Sequence, residues 1–392
     1  MARQPRIEPE DELICLGHGE ETRDQAGAMA PRIVQTSLFA FPTLEELAVG
    51  LAAEDARHVY SRGTNPTVSA VEAKIAALER GEVCRCFASG MAAVNAVFTS
   101  QLEAGDHVLF VNQTYGPTLE LAERLARFGI EHDLLLDLDP GAVDDAMTPR
   151  TRLVWLESPG TMLFRRLDIA AVAEIARGRG ALTVLDNSWA TPLFQKPLTL
   201  GVDLVVHSAT KYLAGHSDLV AGALVGTADL MRRVFYDALL LNGAPLAPFD
   251  AWLLNRGLRT LPMRMRQHHK GGLEVARFLA EQPRVRTVFH PGLEPQASPE
   301  AEKSLAGYSG LLSFELDCDD FAELATVVNR LSRFRIGVSW GGVESLVIAP
   351  FRGDNREALT RQGIPAGTVR LSVGVEPPEL LIDDLAQALA AS

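Results

Sequence analysis

Lysine is scarce in this 392-residue sequence. Only five of its 37 basic residues are lysines, and the remainder are arginines. Chemistry that needs a primary amine therefore has a short set of candidates. The five lysines are Lys74, Lys196, Lys211, Lys270 and Lys303.

The sequence also lacks an excess of positive charge. Asp and Glu number 50 against 37 Lys and Arg, which gives a net charge of −13. A non-specific nucleic-acid binder needs a basic electrostatic field, so we expect no nucleic-acid partner. Hydrophobic residues make up 47% and charged residues 22% of the chain, a balance typical of packed domains and not of disordered chains.

Cysteines are few, and long apolar runs are absent. Four cysteines at positions 15, 84, 86 and 318 are too sparse for a disulfide framework, and the pair at 84 and 86 has no second pair at zinc-ligand spacing. No stretch of about 18 apolar residues occurs, and the N-terminus has no apolar signal region. We therefore expect reduced thiols, no membrane partner and a cytoplasmic location.

The pattern of apolar runs predicts two folded parts behind an N-terminal arm. Residues 1–58 are polar and turn-rich, with a helix predicted over 43–53, and are interpreted as the arm. In residues 59–258, apolar strands alternate with helices, which predicts a mostly parallel sheet flanked by helices, with one antiparallel strand near its end. In residues 259–392 the order of the predicted strands and helices changes, and this order predicts a small C-terminal α+β domain.

Two charged residues follow apolar strands of the large predicted sheet. Asp186 ends the run LTVLD, and Lys211 follows the run DLVVHSAT. Ligands of open α/β sheets bind outside the carboxyl ends of the strands. A lysine and a carboxylate at that edge match pyridoxal 5′-phosphate (PLP), because the lysine attaches the cofactor and the carboxylate keeps its pyridine nitrogen protonated. A simple Asp–Lys ion pair at the sheet edge is the alternative.

Further groups near this edge are suited to a phosphate and an aromatic ring. Gly90 and Met91 open a predicted helix directly after a strand, so their amides are expected to face an anion. Ser208 and Thr210 offer hydroxyls on one face of the strand before Lys211. Tyr115 follows another strand and is expected either to stack on a flat ring or to pack within its loop.

Seven segments, spread over nearly the whole chain, resemble the cysteine and methionine metabolism family of PLP-dependent enzymes. The resemblance implies the aminotransferase-like fold of type I PLP enzymes, which agrees with the α/β fold and small C-terminal α+β domain predicted above. The segments are YSRGTNPT (60–67), SGMAA (89–93), LESPG (156–160), VLDNSWATPLFQKPLTLGVDLVVHSATKYLAGHSD (184–218), RGLRTLPMRMRQHH (256–269), SWGGVESL (339–346) and RLSVGVE (370–376).

The resemblance implies a role for each of the cofactor-site candidates. Lys211 is the cofactor-binding lysine, Asp186 the partner of the pyridine nitrogen and Tyr115 the stacking tyrosine, while Lys211, Tyr115 and Tyr60 take part in catalysis. Tyr60 and Arg62 reach the phosphate from a neighbouring subunit, so the resemblance implies a homotetramer built from dimers with shared active sites. The cofactor-phosphate ligands of the same chain are Gly90, Met91, Ser208 and Thr210.

The resemblance also implies a clamp for the substrate α-carboxylate. Arg370, with Ser339 beside it, forms this clamp, and Trp340 lies next to it. A planar guanidinium binds a carboxylate through two parallel hydrogen bonds, which supports Arg370 independently, whereas a structural salt bridge is the alternative. No metal site is expected, because the adjacent His268 and His269 diverge on a helix and are interpreted as structural.

Within the family, the sequence favours the cystathionine β-lyases. Trp340, the RQHH segment and the absence of an MTH triplet between Pro350 and Arg370 resemble that branch, whereas the NPT segment resembles the γ-acting enzymes. Gly63 stands where well-known β-lyases have a second arginine, so the distal end of cystathionine is expected to be held loosely. The expected reaction is β-elimination of cystathionine to homocysteine, pyruvate and ammonia. The alternatives are methionine γ-lyase, cystathionine γ-lyase or γ-synthase, O-acetylhomoserine sulfhydrylase, and a catalytically silent PLP-binding protein.

Overall fold

The computed structural model describes residues 4–17, 27–293, 299–318 and 320–390. Helices α1 (Pro9–Leu16) and α2 (Leu44–Leu51) precede the first sheet. The hydroxyl of Thr43 accepts a hydrogen bond from the amide of Glu46, so it caps α2 and explains why this helix begins there. Between residues 29 and 60, many large apolar side chains are exposed. They are Met29, Ile33, Leu38, Leu44, Val49, Leu51 and Tyr60.

A seven-stranded sheet forms the centre of the large part. Its spatial order is β1-β7-β6-β5-β4-β2-β3, and only the pairs that involve β7 are antiparallel. The predicted antiparallel strand is therefore confirmed. The strands are β1 (Val83–Phe87), β2 (His107–Val111), β3 (Glu131–Leu135), β4 (Thr151–Glu157), β5 (Leu182–Asp186), β6 (Leu204–His207) and β7 (Gly222–Gly226).

Helices cover both faces of this sheet. Alternate strand residues enter different cores: Phe110 packs with Phe98 and Trp155 on one face, whereas Leu109 packs with Val154 and other residues on the opposite face. This alternation places Glu157 and Asp186 on the Trp155 side at the carboxyl edge. The helices are α3 (Pro66–Glu79), α4 (Gly90–Gln101), α5 (Gly116–Leu125), α6 (Pro140–Ala146), α7 (Ile169–Gly178), α8 (Thr191–Phe194), α9 (Ala228–Arg233), α10 (Leu240–Asn242) and α11 (Pro248–Leu258). Two 3₁₀ turns (Ala126–Phe128 and Pro197–Leu200) and a π-helical segment (Val234–Leu239) complete this layer.

A five-stranded sheet and its helices form the C-terminal part. Its order is β10-β11-β12-β9-β8, with only β10 and β11 parallel. The strands are β8 (Val285–Phe289), β9 (Leu311–Leu316), β10 (Arg335–Ile336), β11 (Leu346–Ile348) and β12 (Thr368–Ser372). The helices are α12 (Leu261–Ala280), α13 (Pro299–Lys303), α14 (Phe321–Asn329), α15 (Arg356–Arg361) and α16 (Pro378–Ala390). Buried side chains of α12, α14 and α16 pack with this sheet in a single core.

The predicted fold class is confirmed, with a few elements missed. Strand β3 was not predicted, because the first three residues of its sequence EHDLL are polar and it lies at the edge of the sheet. The small part contains two strands beyond those predicted, β8 and β11. Strand β11 has only three residues, which is too short for a periodic pattern.

Candidate active site

A cavity of about 250 Å³ lies at the carboxyl ends of the central strands of the large sheet. The C-terminal part closes one side of it with residues of β9, β12 and the loop before β11. Nine of the residues predicted for the site line this cavity. They are Gly90, Met91, Tyr115, Asp186, Ser208, Thr210, Lys211, Trp340 and Arg370.

Lys211 is the lysine that lines this cavity. Its ammonium group donates a hydrogen bond to the hydroxyl of Ser339 at 2.7 Å and lies 5.5 Å from the ring centroid of Trp340. Burial, followed by the charge of Arg370, lowers its pKa to about 8, although Asp186 acts in the opposite direction. At pH 7 a pKa of about 8 leaves roughly a tenth of Lys211 as the neutral amine, far more than an ordinary lysine with a pKa of about 10.4 would have.

Two other lysines are held by structural contacts. Lys74 is buried and donates to the side-chain oxygen of Asn255 at 2.6 Å. Lys196 donates to buried Asp11 at 2.8 Å and to two backbone carbonyls, which holds helix α1 against the large part. These contacts explain both side chains without a catalytic role.

Asp186 lies beside a second carboxyl group, Glu157. The two residues are partners on the parallel strands β4 and β5, and both face the cavity. One oxygen of Asp186 accepts a hydrogen bond from the amide of Ser188 at 2.9 Å. Burial raises the pKa of Asp186, while Ser188, His207 and Lys211 oppose that shift. A carboxylate placed here is suited to a cationic ring nitrogen.

The start of helix α4 forms a cradle with the chain segments around it. Ser89 caps the helix by accepting a hydrogen bond from the amide of Ala92 at 3.0 Å, and the next amides belong to Gly90 and Met91. A Cβ atom on Gly90 would lie 3.0 Å from Ser208, so a larger residue would require Ser208 to shift by a few tenths of an ångström. Amides at the start of a helix attract anions, because they have no partner within the helix.

Thr210 differs from Ser208 in one respect. Its hydroxyl already donates to the carbonyl of Ala221 at 3.1 Å and accepts from the amide of the same residue at 2.9 Å. The hydroxyl of Thr210 therefore holds β7 beside the lysine loop, and a phosphate would be an additional partner for it.

The residues present fit PLP. The amides at the start of α4, the amine of Lys211, the half-buried carboxylate of Asp186 and the ring of Tyr115 surround one cavity. These groups correspond in kind to the phosphate, aldehyde, pyridine nitrogen and ring face of that cofactor.

Tyr115 stands at the mouth of the cavity with 47% of its surface exposed. Its backbone amide donates to Glu157 at 2.7 Å, which ties the loop after β2 to the end of β4. Burial raises the pKa of the phenol, and the charge of Arg370 opposes this effect. The side chain therefore stays protonated near neutral pH.

The C-terminal part supplies Arg370, Ser339 and Trp340. Arg370 lies on β12 and donates to the carbonyl of Ser339 at 3.4 Å. Burial lowers its pKa to about 10, so it remains charged near neutral pH, and that buried charge is suited to a carboxylate. The ring of Trp340 packs against Tyr212, with the centroids 5.4 Å apart.

Tyr60 and Arg62 are not among the described residues that line the cavity. Tyr60 is 44% exposed, and the guanidinium of Arg62 lies 5.3 Å from the centre of its ring. Tyr60 pairs with Leu38 in an isolated bridge, within the segment that exposes apolar side chains.

The adjacent histidines have structural contacts. His268 is buried and its Nδ1 lies 2.9 Å from the carbonyl of Val373, whereas His269 accepts a hydrogen bond from the amide of Tyr308 at 2.9 Å. Within the described ranges, no group of three or more His, Cys, Asp or Glu side chains is arranged to hold a metal ion. In the same ranges, no helix combines the length and the apolar character needed to cross a membrane.

Several residues of the cavity were missed by the sequence analysis. Glu157 ends an apolar parallel strand just as Asp186 does, so the same strand-end rule would have found it. Met162 and Phe164 line the cavity from a loop in which both have positive φ angles, and no sequence signal indicates that conformation. Gly341, with φ of 86°, lets the loop of Trp340 lie against the backbone of Lys211.

Comparisons with known proteins agree with this geometry. The chain is 42% identical over 388 residues to the L-methionine gamma-lyase of Pseudomonas putida, covering 96% of each chain. It is 37% identical over 379 residues to the cystathionine gamma-lyase of Bacillus subtilis, covering 95% of this chain and 97% of that protein. The crystal structure of metB from Corynebacterium glutamicum matches with a TM-score of 0.90 and 33% identity, over 97% of each chain.

The family prediction is confirmed by a comparison with family models. Residues 13–390 match the model described as Cys/Met metabolism PLP-dependent enzyme. This match covers both sheets and every residue of the cavity described above. The chain therefore belongs to the PLP-dependent enzymes of cysteine and methionine metabolism.

Proposed function

We propose that the protein is a carbon–sulfur lyase that catalyses γ-elimination on a methionine-like amino acid. With methionine, the reaction consumes water and yields methanethiol, 2-oxobutyrate and ammonia. The charge distribution in the cavity carries this proposal. Of the described lining residues, four have an acidic or a basic side chain, namely Glu157, Asp186, Lys211 and Arg370, and each has a place in the cofactor site or the α-carboxylate clamp.

The rest of the cavity suits an apolar thioether side chain. Phe164 packs against Trp189 with ring centroids 6.2 Å apart, and Trp189 is fixed by a hydrogen bond to the carbonyl of Leu311 at 3.2 Å. A methylthio group would replace water against such a wall at a favourable free energy, whereas the charged distal end of cystathionine would need partners of its own. The apolar lining residues are Met91, Val94, Met162, Phe164, Trp189, Val206, Val220, Leu311 and Trp340.

The side chains of the cavity divide the chemical work. PLP, when bound, supplies an electron sink that makes bonds at the α-carbon of the substrate labile. Arg370 binds the α-carboxylate and fixes the orientation of the substrate. Lys211, as a neutral amine, removes the α-proton, and γ-elimination also requires removal of a β-proton before the sulfur group leaves. Asp186 keeps the ring nitrogen protonated.

The position of Lys211 supports this double proton transfer. Its amine is held by a single side-chain hydroxyl, that of Ser339, at 2.7 Å. A flexible four-carbon side chain with one such anchor can reach two neighbouring carbon atoms once the hydrogen bond is released. The names of the similar proteins, a methionine gamma-lyase and a cystathionine gamma-lyase, also favour the γ-acting alternative over a β-lyase.

The packing around Gly63 disfavours a β-lyase that binds the distal end of cystathionine through a second arginine. A Cβ atom at this position would lie 3.0 Å from the ring of Phe235 and 3.1 Å from Leu240. The second arginine of well-known β-lyases therefore has no room here unless these side chains move. This packing supports a substrate without a distal carboxylate.

A β-elimination of cystathionine is the second candidate, and Trp340 favours it. The indole ring lies next to the amine of Lys211 and narrows the cavity beside Arg370. A substrate held closely there would present its α-proton and keep its β-carbon away from Lys211. Misplacement of the reacting atoms by about one ångström lowers the rate about a hundredfold, which is enough to suppress γ-elimination.

We further propose that the active site is completed by a second subunit. Tyr60 and Arg62 lie outside the cavity lining of their own chain and next to an exposed apolar segment. Large exposed apolar patches mark contact surfaces, so a partner chain is the expected cover. In such a dimer these two residues would bind the cofactor phosphate of the neighbouring site.

Identification of the keto acid product tests the proposed reaction. The purified enzyme is incubated separately with methionine and with cystathionine, and the keto acids are separated by chromatography. We expect 2-oxobutyrate from both substrates and a higher kcat/KM for methionine. Pyruvate as the main product from cystathionine, with little turnover of methionine, would establish the β-elimination instead. Borohydride reduction followed by peptide mapping should label Lys211, and a label on another lysine would contradict its role.

A further inference from the structure

We propose that Glu157 is a positioning residue of the cofactor site. It holds the loops of Tyr115 and Thr161 in place and is itself neutral, so the negative charge of the pair Glu157 and Asp186 lies on Asp186. This inference deepens the proposed function at the same site. It rests on that function only in requiring PLP in the cavity.

The contacts of Glu157 are unusual for a cavity carboxyl group. It is only 5% exposed, and each of its oxygens has a partner from a different loop. Oε1 accepts from the backbone amide of Tyr115 at 2.7 Å, and Oε2 lies 2.8 Å from the hydroxyl of Thr161. One side chain thus fixes the loop after β2 and the loop after β4 relative to the sheet edge.

The register of the sheet places a second carboxyl group beside it. Glu157 and Asp186 are direct partners on neighbouring parallel strands, about 4.8 Å apart, and both face the cavity. Two carboxyl groups that face one cavity from paired strand positions do not both ionise readily, because each negative charge raises the free energy of the other. One member of the pair has to carry the proton.

The surroundings decide which member is neutral. Asp186 accepts a hydrogen bond from an amide and has the positive charge of Lys211 nearby, whereas Glu157 has no cation among its hydrogen-bond partners. Burial, with a further contribution from Asp186, raises the pKa of Glu157 to about 8. The titratable groups that line the cavity with it are Tyr115, Asp186, Lys211 and Arg370.

A neutral Glu157 changes the direction of one hydrogen bond. The acid O–H then donates to the hydroxyl oxygen of Thr161, and the carbonyl oxygen still accepts from the amide of Tyr115. Both loops remain fixed, and the charge that would hold the ring nitrogen of PLP stays on Asp186. Glutamine reproduces this pattern, because its NH₂ donates and its oxygen accepts.

Two variants of Glu157 separate these roles. Glu157→Gln keeps the size and both hydrogen bonds but cannot ionise, whereas Glu157→Leu keeps the approximate size and loses both bonds. Each apoenzyme is titrated with PLP by tryptophan fluorescence, because Trp189 and Trp340 line the cavity. The visible circular dichroism of the bound cofactor then reports its orientation. Neither measurement depends on which substrate the enzyme uses, so their failure is distinct from a failure of the proposed reaction.

We expect Glu157→Gln to bind PLP within threefold of the wild-type affinity, with an unchanged dichroism band. For Glu157→Leu, we expect at least tenfold weaker binding, a diminished band and a kcat lowered by about ten- to a hundredfold. Thr161→Val removes one of the two contacts and should give a smaller loss in the same direction, which also tests the inference if the leucine variant does not fold. Equal losses in the glutamine and leucine variants would show that the charge of Glu157 is needed and would overturn the inference. Wild-type binding and dichroism in the leucine variant would overturn it as well.

Discussion

Substitution of Gly341 by alanine should impair catalysis through the loop that holds Lys211. Gly341 has a φ angle of 86°, in the region that favours glycine. A Cβ atom there would lie 2.8 Å from the amide nitrogen of Tyr212 and 3.0 Å from the carbonyl carbon of Lys211. Both neighbours are backbone atoms close to the sheet, so the loop of residue 341 has to move.

The size of the effect follows from these contacts. Ordinary contacts of a Cβ atom begin near 3.4 Å, so the loop has to shift by about half an ångström, and it carries Ser339 away from the amine of Lys211. Because misplacement by about one ångström costs about a hundredfold, we expect kcat/KM to fall by about ten- to a hundredfold. The unfavourable φ angle of a non-glycine residue lowers the free energy of unfolding by about 1–3 kcal/mol.

Gly337→Ala is the matched control. This glycine lies in the same chain segment, but its Cβ atom would meet only a side-chain atom of Leu346 at 3.5 Å, an ordinary contact. We expect kcat/KM within twofold of the wild type for this variant. Steady-state kinetics and urea unfolding of both variants make the comparison. If Gly341→Ala has the same kcat/KM as Gly337→Ala, the loop does not position Lys211 as described.

Three further predictions concern stability, specificity and assembly. The carboxylate of Asp384 accepts hydrogen bonds from the amides of residues 332–334; burial alone would raise its pKa, but these bonds lower it. Asp384→Asn should lower the free energy of unfolding by about 2 kcal/mol at pH 7. The deficit should begin to shrink below about pH 4 and be lost as the pH falls through the lowered pKa of Asp384, whereas a constant deficit in urea unfolding would contradict this. Gly63→Arg should lower the thermal midpoint without improving kcat/KM for cystathionine, because Phe235 and Leu240 fill the space; a gain for cystathionine would refute that. Mixed oligomers of Lys211→Ala and Arg62→Ala chains should regain part of the activity, and hybrids as inactive as both parents would place Arg62 in its own chain's site.

Local pattern was sufficient to predict most of the large sheet. Strands such as β4 and β5 are continuous apolar runs, and turn residues mark their ends, so their positions can be read without knowing the fold. The strand-end rule then brings Asp186 and Lys211 to one edge. Strand β3 was not predicted because it is an edge strand whose first three residues are polar, so it has no continuous apolar run.

Sequence motifs alone do not decide between β- and γ-elimination. Trp340 and Gly63 point in opposite directions as sequence features, since each is compared only with a residue type expected at that place. The structure adds what surrounds them: Phe235 lies beside Gly63, and nine apolar side chains line the cavity. These contacts supported the γ-acting proposal.

The sequence by itself determined the fold class and the family, and it predicts Lys211 as the cofactor lysine, because these depend on local periodicity and on contiguous motifs. Only the tertiary structure decided that Glu157 lies beside Asp186, that Ser339 holds Lys211 from 128 positions further along the chain, and that Arg370 closes the same cavity from the second sheet. The physical reason is that strand register and the packing of one sheet against another bring distant residues together, and neither is encoded in any single segment of the chain.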